Sequence, residues 1–239
     1  MPSRMIRLLV YLLPILGLFG PSLWVQSTIK RNDRELPDMP FTGLEFGHKI
    51  LAEKDLEEVE IESVPEGDHY DPQVKKVRIV EDRLNRKSIS SIAIVCHEIG
   101  HAIQDKENYR PLAWRQNLVK KTQTFQKIGS AVLVIGLPSV FAITNSPVLT
   151  LIAAFLALGC LATNTLIHLV TLPVEFDASF KRALPILEKY VPKENLPQCR
   201  SVLRAAALTY VAASIVSIFR LRTIFLIFIT LFRAVVLKR

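Results

Sequence analysis

The chain has 239 residues, half of them hydrophobic, and a formal charge of +8. All 22 acidic residues fall between Asp33 and Glu194, so both ends are apolar with only basic punctuation, which argues against an ordinary soluble globule. From Gln26 to Lys127 the 17 lysines and arginines nearly cancel 18 acids, and the surplus cations flank apolar segments, where they suit lipid headgroups rather than a nucleic-acid partner.

In chain order, Leu8 to Gln26 ("LLVYLLPILGLFGPSLWVQ") is apolar over a full bilayer crossing. Arg4 and Arg7 precede it as in a signal peptide, but the run exceeds a signal h-region and no small-x-small site follows, so residues 1–26 read as an anchor. Residues 27–127 form the expected aqueous domain. "TGLEFGHKILAEKDL" has helical spacing at Leu44, Phe46, Ile50 and Leu51. "EVEIESV" alternates as a strand does, "EGDHYDPQ" is turn-rich, and "VKKVRIV" reads as a second strand. Ser88, Ser90 or Ser91 can cap the helix that follows.

Four further apolar stretches come next: 128–143, 147–171, 203–219 and 223–237. The first pair predicts a transmembrane hairpin over 128–171, linked by Thr144 to Ser146, which returns residues 172–202 to the side of the aqueous domain. The last pair, in 203–239, is split by "RLR" and reads as a hairpin or as one long helix partly at the interface. Three cysteines, Cys96, Cys160 and Cys199, make no disulfide framework, and Cys96 reads as a small packing residue.

The chemistry lies in "SIAIVCHEIGHAIQ", residues 91–104. Histidines at i and i+4 share one helix face, so His97 and His101 can reach one ion. Zinc suits the pair because it takes neutral imidazole nitrogen and tolerates an open fourth position. Glu98 points about 100° around the helix, away from the ion but within reach of a water on it, which is the general-base position of this motif. Gly100 allows another backbone or a substrate to approach closely.

A third ligand is needed. His48, His69 and His168 remain, with many carboxylates; Glu175, at the membrane boundary after Pro173-Val174, is the best placed. Pro173 reads as a helix start. Ala178 and Ser179 are small enough for that helix to pack on the motif helix.

"HEIGHAIQ" followed by "LPVEFDASFKRAL", with "DHYDPQVKKVRI" and "AAALTYVAA" around them, resembles the YugP-like neutral zinc metallopeptidase family over most of the chain. The resemblance implies His97, His101 and Glu175 as ligands of one Zn2+ and Glu98 as catalytic base. It implies a mainly α-helical, multi-pass membrane protein carrying a small α+β zincin-like domain with a short sheet, acting on a protein or peptide substrate beside a lipid bilayer. In the related prenyl-protein and heat-shock type, an aspartate supporting a histidine ligand stands where this chain has Ser179. Either Ser179 or Asp177, or a group elsewhere, is then expected to hold the histidines.

Hydrolysis also needs a donor for the developing oxyanion, and His69, Tyr70 and Arg182 are the candidates; Arg182 lies two helical turns beyond Glu175. By resemblance, residues 74–80 border the cleft and would pair with an extended substrate. The alternative is a non-catalytic metal-binding membrane scaffold or chaperone, disfavoured because structural zinc sites are closed by four ligands. A transporter is disfavoured by the few polar groups in the spans. Cations flanking the spans on the domain side point to a cytoplasmic active site, although the basic amino end pulls the other way.

Overall fold

The computed structural model describes residues 19–131, 137–144 and 146–236; most of the expected anchor lies outside them. Helix α1 (residues 19–31) leads into α2 (Gly43–Glu53), then β1 (Glu60–Val64), β2 (His69–Asp71) and β3 (Lys76–Val80). The short α3 (Glu81–Asn85) precedes α4 (Ile89–Lys106), which carries the histidine pair. Helices α5 (Arg110–Ala131), α6 (Leu137–Thr144) and α7 (Pro147–Phe176) follow. A π-helix (Asp177–Ala183), α8 (Leu184–Tyr190) and α9 (Leu196–Val236) complete a mostly helical chain. It divides into two compact units.

The first unit, Ser22–Ala113 with Thr171–Thr209, is built around α4. From Ile89 to Gln104 every residue of α4 is buried, which is the pattern of a central helix covered on all sides. Ser88 starts it: its hydroxyl accepts the Ser91 amide N–H at 3.0 Å. The same hydroxyl lies 3.0 Å from Asp33 Oδ1. Ser90 Oγ donates to the Ile29 carbonyl at 2.7 Å, so the expected serine cluster caps the helix and fastens the end of α1 to it. Helix α2 has a reciprocal cap between Thr42 and Glu45 and buries Phe46, Ile50 and Leu51 against α4.

The unit holds a three-stranded sheet in the order β1-β3-β2 among the described residues. β1 runs parallel to β3, with Ile61 opposite Val77; β2 is antiparallel to β3, with Tyr70 opposite Val77. Val77 and Ile79 point from β3 into the core. The strand β2 falls in a stretch read from sequence as turns; three residues are too few for alternation to register. More consequentially, β3 is the central strand: β1 pairs its whole length and β2 pairs Lys76, Val77 and Arg78 on the other edge. Within the 74–80 segment expected to dock substrate, residues 76–78 therefore have no open edge.

Pro173 also behaves differently from expectation. It lies inside α7, which continues to Phe176, rather than starting a new helix. The polypeptide then widens into the π-helix, so Glu175 comes from the last turn of a 30-residue helix. Proline removes one backbone donor inside a helix, and the departure from α geometry begins within a turn of it.

The second unit takes its described residues from Met1–Pro21, Trp114–Val170 and Tyr210–Arg239. Its helices expose large apolar side chains, Ile143 at 81% and Phe155 at 77% among them. Across "RLR" the backbone stays helical, so α9 is one long helix rather than a hairpin. Among the described residues, one segment, Lys193–Val216, is long and apolar enough by itself to cross a bilayer. The several spans expected from the sequence are not matched by that number. The three cysteines are free and buried, Cys96 in the core as a packing residue.

Candidate metal centre

The histidine pair and Glu175 meet inside the first unit. The His97 and His101 rings stand 4.9 Å apart at 76°, one turn of α4 separating them. Both Nε2 atoms lie 3.2 Å from Glu175 Oε2, and the three side chains are almost wholly buried. One ligand atom from each falls within 4.8 Å of the others. A tetrahedral ion with bonds of about 2.0–2.1 Å requires ligand-to-ligand edges of roughly 3.3 Å, close to the 3.2 Å from Glu175 Oε2 to each imidazole nitrogen.

The second nitrogen of each ring decides what the site can hold. Ser179 Oγ lies 3.2 Å from the Leu203 carbonyl, which can only accept, so the hydroxyl proton goes there. Its lone pair is left to accept Nδ1–H from His97 at 2.9 Å. Gln104 Nε2 donates to the Val174 carbonyl at 2.9 Å and to Asp177 Oδ2 at 2.8 Å, using both of its protons. Gln104 Oε1 accepts Nδ1–H from His101 at 2.9 Å. Both neutral imidazoles thus turn an Nε2 lone pair toward a carboxylate oxygen.

Three acceptors facing one another in a buried place require a positive charge between them. Either the imidazoles take up protons or a divalent ion takes their place, and the donor set of two imidazole nitrogens and one carboxylate oxygen suits zinc. Without an ion, burial alone would raise the pKa of Glu175. The charges and hydrogen bonds of His101 and His97 outweigh it and hold the carboxyl far below its usual range.

The groups expected to support the histidines are both used, on different rings. Ser179 holds His97 directly. Asp177 acts through Gln104, and Arg182 Nε braces Asp177 at 2.7 Å while its Nη1 reaches Glu107 Oε2 at 2.7 Å. Burial opposes ionisation of Asp177, but Gln104 and Arg182 lower its pKa overall. Gln104, fully buried, was missed as a site residue, although a glutamine one turn beyond the second histidine on an apolar helix was a readable signal. Replacing Ser179 or Gln104 by Ala is expected to weaken zinc binding about 10–100-fold each, as outer partners of metal-bound histidines do. Competition against a chelating dye measures it.

The donor candidates fare differently. Arg182 is committed to Asp177 and Glu107. Tyr70 donates its hydroxyl to Asp105 Oδ2 at 2.9 Å, and burial followed by that bond raises its pKa, so it stays protonated. His69 is exposed, its Nδ1 at 2.8 Å from the Gly67 carbonyl. None of the three bonds to His97 or His101 directly, and Arg182 reaches His101 through Asp177 and Gln104. Glu98 is buried in α4 directly after His97. Gly100 faces the π-helix so closely that a Cβ there would sit 2.7 Å from the Ala178 carbonyl oxygen.

A buried histidine pair joined by a distant glutamate offers a donor set that suits zinc. The family described as "Putative neutral zinc metallopeptidase" matches residues 7–229, and the chain belongs to it. It is also 31% identical over 228 residues to the "Putative membrane protease YugP" of Bacillus subtilis strain 168, an alignment spanning 92% of this chain and 97% of that protein. No solved structure matches the chain significantly.

Proposed function

We propose that the chain is a membrane-bound endopeptidase that hydrolyses peptide bonds at one zinc site made by His97, His101 and Glu175. The observation that carries this reading is the convergence of three buried acceptors, with both imidazole protons turned outward to Ser179 and Gln104. Bound zinc would acidify a water molecule and polarise the scissile carbonyl. Glu98 takes a proton from the attacking water as the water oxygen adds to the carbonyl carbon. When the carbon–nitrogen bond breaks, Glu98 gives the proton to the departing amine. Ser179 and the Gln104–Asp177–Arg182 chain hold the two rings and keep their protons on Nδ1 throughout.

A bilayer partner is supported by the exposed apolar side chains of α6 and α7 and by the description of the Bacillus relative as a membrane protease. In α1, Val25 and Thr28 are buried, while Leu23 and Trp24 are exposed at 61% and 44%, a face suited to lipid. Glu175 follows the apolar run of α7 by only a few residues, so the site would work close to the membrane surface. Unfolded or misinserted membrane proteins are the substrates this position favours, which makes quality control the biological role we assign. Cations beside the spans favour a cytoplasmic site.

Glu98→Gln tests the reading. It is expected to lower cleavage of an unfolded protein by about 10²–10⁴-fold while one zinc per chain is retained. Unchanged cleavage would remove Glu98 from the mechanism. Wild-type protein that binds zinc but shows no chelator-sensitive cleavage would favour a metal-binding scaffold.

A further inference from the structure

The second unit carries a charge that no acidic side chain within it balances. Its segments Met1–Pro21, Trp114–Val170 and Tyr210–Arg239 hold eleven lysines and arginines and no aspartate or glutamate. Four of these cations lie on α5: Arg115, Lys120, Lys121 and Lys127. The three lysines are exposed. Trp114, Leu118, Lys121, Phe125 and Ile128 follow one another at steps of four and three residues, so they share one face of the helix. Trp114 is 71% exposed, and Phe125 and Ile128 are exposed with it. Lys120 and Lys127 each stand one residue before a member of this stripe, about 100° around the helix, and so flank it.

What lies behind α5 limits how deep it can sit. Cys160 Sγ donates to the Phe125 carbonyl at 3.3 Å, so this part of α5 rests on the middle of α7. Were the apolar run 147–171 to stand upright across a hydrocarbon core of about 30 Å, Cys160 would lie near the midplane and take the three lysines with it. A lysine at that depth is costly, and its own unit offers no carboxylate to pair with it. Charge and contact are reconciled when the α5–α7 pair lies along the membrane surface. The exposed Phe155, Leu156, Leu166 and Leu169 of α7 then have lipid to meet.

We propose that α5, from Trp114 to Ile128, lies in the headgroup layer of an anionic leaflet. Trp114, Phe125 and Ile128 turn toward the acyl chains, and Lys120, Lys121 and Lys127 meet the phosphate oxygens of acidic phospholipids. This rests on the bilayer reading and not on the zinc centre. An indole suits the boundary between water and hydrocarbon, and a lysine stem can cover apolar surface while its ammonium reaches a phosphate. A soluble acidic partner would satisfy the lysines, but the exposed stripe from Trp114 to Ile128 favours a surface that is charged outside and oily beneath.

The test uses the full chain in vesicles of phosphatidylcholine and phosphatidylglycerol, after flotation shows that it is bound to them. W24F leaves Trp114 as the single tryptophan, and W24F/W114F/F125W moves the reporter to position 125. The two positions are about 16 Å apart along the helix axis. A helix in the headgroup layer gives both reporters the same shallow depth, so lipid brominated high in the acyl chain quenches each more strongly than lipid brominated near the chain end. An upright helix reverses that order at position 125, which overturns the proposal. Brominated phosphatidylglycerol is expected to act beside the reporters as if bound about fivefold more tightly than brominated phosphatidylcholine, and K120Q/K121Q/K127Q to bring the ratio near one. Equal quenching by the two lipids with the lysines in place overturns the anionic preference, as does an unchanged ratio in the triple variant. Should that variant fail to fold, K121Q is scored in its place and is expected to lose part of the preference. Quenching of neither reporter by any lipid would give the stripe to water, a second copy or another protein, and overturns the proposal. Failure to float counts against the bilayer reading itself, whereas a chain that floats with unquenched tryptophans fails on α5 alone.

Discussion

Glu175→Ala is expected to remove most of the stabilisation that zinc gives the fold while leaving the metal-free protein close to wild type. The prediction follows from what the carboxylate faces. Its Oε2 is 3.2 Å from both imidazole nitrogens, which are lone-pair acceptors in the neutral rings. Without an ion, the buried carboxylate depends on imidazole protons, and its removal lets both rings remain neutral. The loss of a compensated charge from a dry site is thus offset by the relief of its desolvation. With zinc, the balance reverses. A binding partner stabilises the native state by RT ln(1 + [L]/Kd), about 4.1 kcal/mol at a thousandfold excess over Kd. A direct ligand should matter more than an outer one, so a loss of at least about 100-fold in affinity is expected. At the same zinc concentration the gain then falls to about 1.4 kcal/mol. Thermal unfolding of both proteins, with and without added zinc, measures the two terms separately. An equal zinc-induced shift in wild type and variant would place the ion elsewhere.

The histidine pair was legible because its signal is local: the spacing alone puts two rings on one helix face. Glu175 was legible only in company, through "LPVEF" at the end of an apolar run and its resemblance to a family pattern. The choice between Ser179 and Asp177 could not be read, since it depends on a π-helix, an element without a hydrophobic period of its own. The same element explains why Arg182 is not where a regular helix would put it. Each residue of the wider turn rotates less than an α step, so seven residues no longer return to the face of Glu175, and Arg182 meets Asp177 instead. Gln104 needed knowledge of partners 70 and 73 residues away, the Val174 carbonyl and Asp177. The central position of β3 was hidden by the brevity of β2, for without a third strand residues 74–80 look like an edge.

Gly100→Ala is expected to lose zinc and activity together, although an alanine in the middle of a helix normally adds stability. Relief of glycine's extra chain entropy favours the variant by about 0.5–1 kcal/mol. Against it stands contact with a single backbone unit: the new Cβ would lie 2.7 Å from the carbonyl oxygen of Ala178, 3.2 Å from its carbon and 3.3 Å from its Cα. None of these is the end of a flexible side chain, so the π-helix itself has to retreat from α4. Such overpacking costs about 1–3 kcal/mol and leaves a net loss of stability. The larger effect is on the site, because Ala178 lies between Asp177 and Ser179 and three residues past Glu175. Moving this backbone shifts the third ligand and both supports of the histidine rings at once. A displacement of about 1 Å can cost on the order of 10²-fold in rate even when no catalytic atom is removed. Gly159→Ala in α7 supplies the control, since a Cβ there meets nothing within 4 Å. Zinc titration, thermal unfolding and cleavage rate measured on both variants separate the two positions. Wild-type zinc affinity in Gly100→Ala would mean that the close approach of α4 to the π-helix does not set the geometry of the centre.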